Sequence, residues 1–150
     1  ATRARQFAKI LNAPLAIIDK RRPDVNKAEV MSIIGDVKGK VAIVVDDIID
    51  TAGTLLVGTE ALLKEGATEV YAAATHAIFS GNAINNIKNS KLKKVIVTDT
   101  IKLTDEAKKC NKIVQISIGN LIGQSILHII EDKPISQIFD KIETFEVVNE

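Results

Sequence analysis

The sequence is short of the residues that would place it outside the cell or in a membrane. Cys110 is the only cysteine among 150 residues, so the chain has no internal disulfide and fits a reducing compartment. The longest apolar runs, at residues 15–18 and 41–45, are too short to span a bilayer. Residues 1–5 lack the apolar core of a secretory signal. We therefore expect a soluble, cytoplasmic protein without a membrane partner.

Aromatic residues are also rare, at 3% of the chain, and the formal net charge is only +1. Isoleucine, valine, leucine and alanine supply most of the 46% apolar fraction, which is typical of buried parallel strands flanked by helices. The 20 basic and 19 acidic residues leave no basic excess that would favour nucleic acid as a partner. The length fits one domain of ordinary size.

Strands and helices are predicted to alternate along the chain. Apolar periodicity predicts strands at residues 15–19, 29–34, 41–45, 70–75, 95–98 and 113–118, and helical segments at 2–11, 54–65, 82–87, 105–109, 121–131 and 135–140. This order is typical of an α/β fold, with a mostly parallel sheet flanked by helices. Ligands bind such sheets outside the carboxyl ends of the strands, which here means after Asp19, Val45 and Thr75.

An acidic loop with one glycine follows the clearest strand, at 41–45. A glycine lets the backbone approach an anion, and the amides of a first helical turn can point at phosphate oxygens. Carboxylates can accept hydrogen bonds from ribose hydroxyls or hold Mg²⁺. A helix cap at Asp50 or Thr51 would explain one such residue, but not the whole group. The loop therefore predicts a pentose phosphate site formed by Asp46, Asp47, Asp50, Thr51, Ala52, Gly53 and Thr54.

Three consecutive cations, Lys20, Arg21 and Arg22, follow the predicted strand at 15–19. On charge alone, such a triplet is most often a solvated surface run. His76 ends a predicted strand, so it is either a substrate contact or a hydrogen-bonded structural residue. Cys110 is interpreted as incidental, and residues 80–82 as a helix cap.

The residues from Val44 to Thr54 resemble the ribose-phosphate-binding signature of the type I phosphoribosyltransferase fold. The order Val-Asp-Asp-Ile-Ile-Asp-Thr-Ala-Gly-Thr is most similar to that of ribose-phosphate pyrophosphokinases, also called phosphoribosyl pyrophosphate synthetases. Residues 17–23 resemble the flexible catalytic loop of the same family, and residues 31–37 and 74–83 are similar to two further segments. The similarity runs from about residue 3 to about residue 130.

This resemblance implies transfer of the diphosphoryl group of MgATP to the C1 hydroxyl of ribose 5-phosphate, giving phosphoribosyl pyrophosphate and AMP for nucleotide biosynthesis. It implies that Lys20 and Arg22 stabilise the transition state, that Asp46 holds the ribose hydroxyls, and that residues 50–54 hold the 5-phosphate. It implies no metal ligand within this chain, with Mg²⁺ arriving on ATP. It also implies a homo-oligomer for the full-length protein.

The resemblance further implies that residues 1–150 correspond to the C-terminal of two similar domains, truncated at its N-terminal edge. The isolated chain is then expected to have little or no activity. Two alternatives stay open. A salvage phosphoribosyltransferase would share the 50–54 loop, although few aromatics are present for a base pocket. A regulatory homologue would keep the fold and lose catalysis.

Overall fold

The computed structural model describes the backbone of residues 2–21 and 30–139. The helices of this part are α1 (Thr2–Ile10), α2 (Gly53–Lys64), α3 (Ala83–Asn89), α4 (Asp105–Lys109) and α5 (Gly119–Ile130), followed by a 3-10 turn at Ile135–Ile138. The strands are β1 (Ile17–Arg21), β2 (Val30–Ile34), β3 (Val41–Ile49), β4 (Glu69–Ala77), β5 (Val95–Thr98) and β6 (Ile113–Ile116). Strands β3 to β6 form one parallel sheet in chain order, which confirms the α/β prediction.

The core lies on one face of this parallel sheet. Residues along β4, β5 and β6 alternate between buried and half-buried, as expected when one face is fully covered. Val70, Val95 and Val97 have no exposed surface, and neither does Ile87 of α3. Each such side chain contributes about 1.5–3 kcal/mol by leaving water. This packing holds the carboxyl ends of the strands at one edge of the sheet.

Strands β1 and β2 form a separate antiparallel pair, with Ile17 opposite Ile34 and Arg21 opposite Val30. The prediction that a buried strand at 15–19 ends at the ligand edge of the parallel sheet is therefore wrong. The apolar run at residues 15–18 does not indicate burial here, because Ile17 is 39% exposed. This arm packs instead against α2, where Gly58 has no side chain and makes room for Ile18.

The parallel strands β3 and β4 are longer than their apolar runs. Strand β3 continues to Ile49, so Asp46 and Asp47 lie within the strand and not after it. Strand β4 continues to Ala77, which pairs with Ile49, the last residue of β3. The ladder continues because its hydrogen bonds join backbone groups, which do not depend on whether the side chains are apolar.

Most of the large apolar side chains of helix α5 lie on its exposed face and not on its inner face. Its half-buried side carries Leu121 and three polar residues, Gln124, Ser125 and His128. Its outer face consists of large aliphatic side chains that are between 50% and 72% exposed: Ile122, Ile126, Leu127, Ile129 and Ile130. Within the described ranges, α5 included, we find no helix that is both long and apolar enough to cross a membrane.

The start of α5 is held by Asp99, which follows β5. Its carboxylate accepts hydrogen bonds from the Ser117 hydroxyl, at 2.6 Å, and from the Ile118 amide, at 2.9 Å. These bonds hold the pKa of Asp99 below its usual range, with the Ser117 bond having the larger effect and the Ile118 bond the next largest. Ionised Asp99 thus ties the end of β5 to the beginning of α5.

Candidate functional site

The link between β3 and α2 has an unusual backbone. Ala52 occupies the N-cap position of α2 with φ 63° and ψ 1°, which is the left-handed region. A left-handed conformation costs a residue with a Cβ roughly 1–2 kcal/mol. An alanine at the N-cap forgoes about 0.5–2 kcal/mol relative to serine, threonine or aspartate. Strain of this kind is concentrated at functional sites, so the loop is a candidate site on structural grounds as well.

The helix α2 begins without a side-chain cap. Neither Asp50 nor Thr51 is the N-cap residue, and no side-chain hydrogen bond caps this end. The cap alternative considered for the sequence is therefore wrong. The first N–H groups of a helix have no acceptor within it, and they carry the positive end of its dipole. Gly53 and Thr54 are exposed, so this end of the helix is accessible from solvent.

Two carboxylates lie before this loop, on the last part of β3. Asp46 is exposed, and its Oδ1 accepts a hydrogen bond from the amide of Asp47 at 2.8 Å. The Asp47 side chain is half-buried. Exposed carboxylate oxygens accept hydrogen bonds from sugar hydroxyls, while the uncapped amides donate to phosphate. The site thus offers acceptors on the strand and donors at the helix.

Asp50 is engaged by the loop that follows β4. Its carboxylate accepts a hydrogen bond from the Ser80 hydroxyl, and its carbonyl accepts one from the Ser80 amide at 3.1 Å. Ser80 therefore does not cap α3. Asn82 is the N-cap residue, and its side-chain amide donates to Asn86 and not to the backbone. Sequence reasoning missed the Asp50–Ser80 pair, although both residues follow neighbouring parallel strands.

His76 lies on β4 in register with Ile48 of β3. Its Nδ1 lies 2.9 Å from the Thr100 hydroxyl, and the hydroxyls of Thr98 and Thr100 both donate to the carbonyl of Thr75. This network favours the structural interpretation of His76. The two threonines escaped sequence analysis because nothing in their local pattern distinguishes them.

Other residues selected from the sequence lie apart from this loop or beyond the described residues. Arg22 is outside the described residues, and for Lys20 only the backbone, in β1, is described. Cys110 is buried with 4% exposure. Within residues 2–21 and 30–139, the structure contains no group of three or more histidine, cysteine or carboxylate side chains placed to hold a metal.

Comparisons with known proteins identify the family of the chain. The sequence profile of the Phosphoribosyl synthetase-associated domain matches residues 2–140. A ribose-phosphate pyrophosphokinase of Caldanaerobacter subterraneus subsp. tengcongensis is 59% identical over 138 residues, which are 92% of this chain and 43% of the relative. Ribose-phosphate pyrophosphokinase 1 of Lactococcus lactis is 53% identical over 138 residues, which are 92% of this chain and 42% of the relative.

A solved structure gives the same likeness in three dimensions. The phosphoribosylpyrophosphate synthetase of Mycobacterium smegmatis superposes with a TM-score of 0.78 at 34% identity, covering 88% of this chain and 43% of that one. The chain therefore spans less than half the length of the relatives that it matches.

The left-handed backbone at Ala52 makes a prediction about stability. Ala52→Val should lower the free energy of unfolding by about 2 kcal/mol or more, because a β-branched side chain tolerates φ 63° poorly. Ala52→Gly relieves about 1–2 kcal/mol of strain. This gain offsets two losses, the buried methyl group and the greater conformational freedom of the unfolded chain. That variant should stay within about 1 kcal/mol of the parent. Urea unfolding measures both, and equal losses would contradict the strain argument.

Proposed function

This chain belongs to the ribose-phosphate pyrophosphokinase family, and from that premise we propose that it is the ribose 5-phosphate-binding part of a ribose-phosphate diphosphokinase. The observation that carries the proposal is the uncapped, exposed start of α2 at Gly53, behind the exposed carboxylate of Asp46. Donors for a phosphate and acceptors for a ribose occur together there. The reaction makes phosphoribosyl pyrophosphate, the activated sugar of nucleotide biosynthesis.

The site residues divide the substrate between them. The amides of Gly53 and Thr54 and the hydroxyls of Thr51 and Thr54 donate to the 5-phosphate. Asp46, with Asp47 beside it, accepts from the ribose hydroxyls. Asp50 and Ala52 shape the loop. Holding the sugar at both ends directs its C1 hydroxyl outward, and such positioning is the main protein contribution to phosphoryl transfer.

In the chemical step, the C1 oxygen forms a bond to the β-phosphorus of MgATP as the bond to the α-phosphate oxygen breaks. AMP leaves, and the C1 hydroxyl proton is lost to solvent. Negative charge grows on the bridging and terminal oxygens, where cations stabilise it. We assign this role to Lys20 and Arg22 on the family likeness. ATP enters as its magnesium complex, a substrate and not a group held by this chain.

Gly53 allows ligand binding to be separated from stability. A Cβ added there would lie 3.8 Å from Thr51 Oγ1, which is ordinary contact, and alanine favours helix over glycine by about 1 kcal/mol. Gly53→Ala should therefore fold at least as stably as the parent. It should nonetheless bind ribose 5-phosphate at least about tenfold more weakly, because the Cβ holds the phosphate away from the amide.

The measurement is a titration of the chain with ribose 5-phosphate, followed by amide NMR shifts, together with urea unfolding. Gly123→Ala is the matched control, because a Cβ added at Gly123 meets no heavy atom within 4 Å and α5 lies apart from the loop. We expect the titration to shift the amide signals of residues 51–54 in the parent and in Gly123→Ala, and to leave them unshifted in Gly53→Ala. Unaltered binding by Gly53→Ala would overturn the assignment of the phosphate to this loop.

Lys20 tests the diphosphokinase reaction itself. In the full-length enzyme, Lys20→Ala should reduce AMP release from ATP and ribose 5-phosphate by more than about tenfold, which is about 1.4 kcal/mol of barrier. Lys88→Ala, an exposed lysine of α3, is the control and should keep normal turnover. Survival of turnover in Lys20→Ala would refute the catalytic role. Activity with a nucleobase and the activated sugar would favour a salvage enzyme instead.

We also propose that the outer face of α5 pairs with a second copy of this chain. The face lacks charged residues, so it is compatible with itself across a two-fold axis. Aliphatic patches of this extent on soluble proteins mark interaction sites.

Ile126→Glu should shift the chain from dimer to monomer in sedimentation equilibrium, because it would bury an unpaired charge at the interface. Val57→Glu is the matched control, since Val57 of α2 is 47% exposed and lies outside this face. A parent chain that is monomeric at all concentrations would overturn self-pairing and leave another segment of a longer polypeptide as the occupant.

A further inference from the structure

The two loops at the carboxyl edge of β3 and β4 are joined beyond the end of the sheet ladder. After the last pair, Ile49 with Ala77, the amides of Ile78 and Phe79 both donate to the carbonyl of Ile49, at 3.0 and 3.1 Å. The Ser80 amide then donates to the carbonyl of Asp50 at 3.1 Å. The exit of β4 thus holds the first residue of the β3–α2 loop by its backbone.

This connection requires a second left-handed residue. Phe79 has φ 50°, and its side chain is 8% exposed. A buried aromatic residue keeps such a conformation only when its surroundings impose it. Its ring packs in the core, while its amide bonds to Ile49 and brings Ser80 opposite Asp50. The core therefore determines where the Ser80 hydroxyl is placed.

The side chains complete the connection, because the Ser80 hydroxyl donates to the carboxylate of Asp50. We propose that Ser80 is a positioning residue that holds the phosphate-binding loop in its binding conformation through Asp50. The inference rests on the proposed function and adds a residue from a different strand to that site. In this role Ser80 acts through Asp50 and not directly on the substrate.

Two physical effects give Ser80 this role. Hydrogen bonds to charged groups are stronger than those between neutral ones, so the hydroxyl fixes Asp50 more firmly than the backbone bond alone would. A carboxylate next to a bound phosphate is also electrostatically unfavourable. A hydroxyl that donates to Asp50 reduces the carboxylate's repulsion of the phosphate. The loop can therefore retain an aspartate three residues before the Gly53 amide that is proposed to bind the anion.

Ser80→Ala should weaken ribose 5-phosphate binding by about tenfold while the melting temperature stays within the change seen in the control variant. The backbone bonds of residue 80 remain in this variant, so the chain should fold. Ser80→Thr keeps the hydroxyl and should restore most of the affinity. Affinities come from amide NMR titrations of the full 150-residue chain with ribose 5-phosphate, and separately with inorganic phosphate.

Ser90→Ala is the matched control. Ser90 is half-buried like Ser80, and its hydroxyl donates to the Ile87 carbonyl, at the opposite edge of the sheet. It should leave both affinities unchanged. Equal affinities for the parent and Ser80→Ala, or equal losses in Ser80→Ala and Ser90→Ala, would overturn the positioning role.

Hydrogen exchange separates this inference from the function on which it rests. In the free chain, Ser80→Ala should speed exchange of the Leu56 amide, which bonds to the Ala52 carbonyl at the start of α2, and Ser90→Ala should not. If the parent fails to bind ribose 5-phosphate, the proposed function and the inference are both refuted, even if exchange at Leu56 changes. If the parent binds and Ser80→Ala behaves like the parent in both measurements, only the inference is refuted.

Discussion

The candidate site depends on one constraint, the common end point of two neighbouring parallel strands. Because β3 and β4 run in the same direction and keep register to Ile49 and Ala77, the chain leaves both strands at the same edge. The following residues continue to bond across the gap, from Ile78 to Ser80. Both loops are therefore tied to β4, where Val70, Ala72 and Ala77 are buried in the core.

The start of α2 has a backbone conformation that the surrounding packing must stabilise. A freestanding helix would gain from serine or aspartate at its N-cap, yet the chain has alanine there, in a left-handed conformation. The same edge carries a second left-handed residue, Phe79. Each choice costs local stability that the surrounding packing offsets. The exposed amides at this helix end can be satisfied by water, and an anion there would also gain from the helix dipole.

Sequence patterns were sufficient for the parts of the structure that repeat. Alternating apolar runs and helical spacing predict the parallel sheet, and the density of polar residues around Gly53 selects the loop. They fail where the outcome depends on distant partners. The run at residues 15–18 has the composition of a core strand, but β1 pairs with β2 outside the main sheet. The bond between Asp50 and Ser80 joins residues 30 apart, and no local pattern encodes it.

Charge is distributed unevenly between the two edges of the parallel sheet. The acidic residues Asp46, Asp47 and Asp50 lie at the carboxyl edge, whereas the lysines at 91, 93, 94 and 112 precede β5 and β6 at the opposite edge. An anionic substrate at the carboxyl edge therefore gains little from those lysines, which are screened beyond about 10 Å. The proposed site would therefore depend on nearby amides and on cations from other elements.

The β1–β2 arm is the element to which the proposed function assigns those cations. Ile18 of β1 packs against Gly58 of α2, five residues or about 7.5 Å along the helix from Gly53. Lys20 lies two residues further along β1, in a strand anchored to the same helix that presents the uncapped amides. Glycine at position 58 therefore lets the arm that contains Lys20 lie close to α2. Under the proposed function, the parallel sheet would position the sugar phosphate and the arm would supply Lys20.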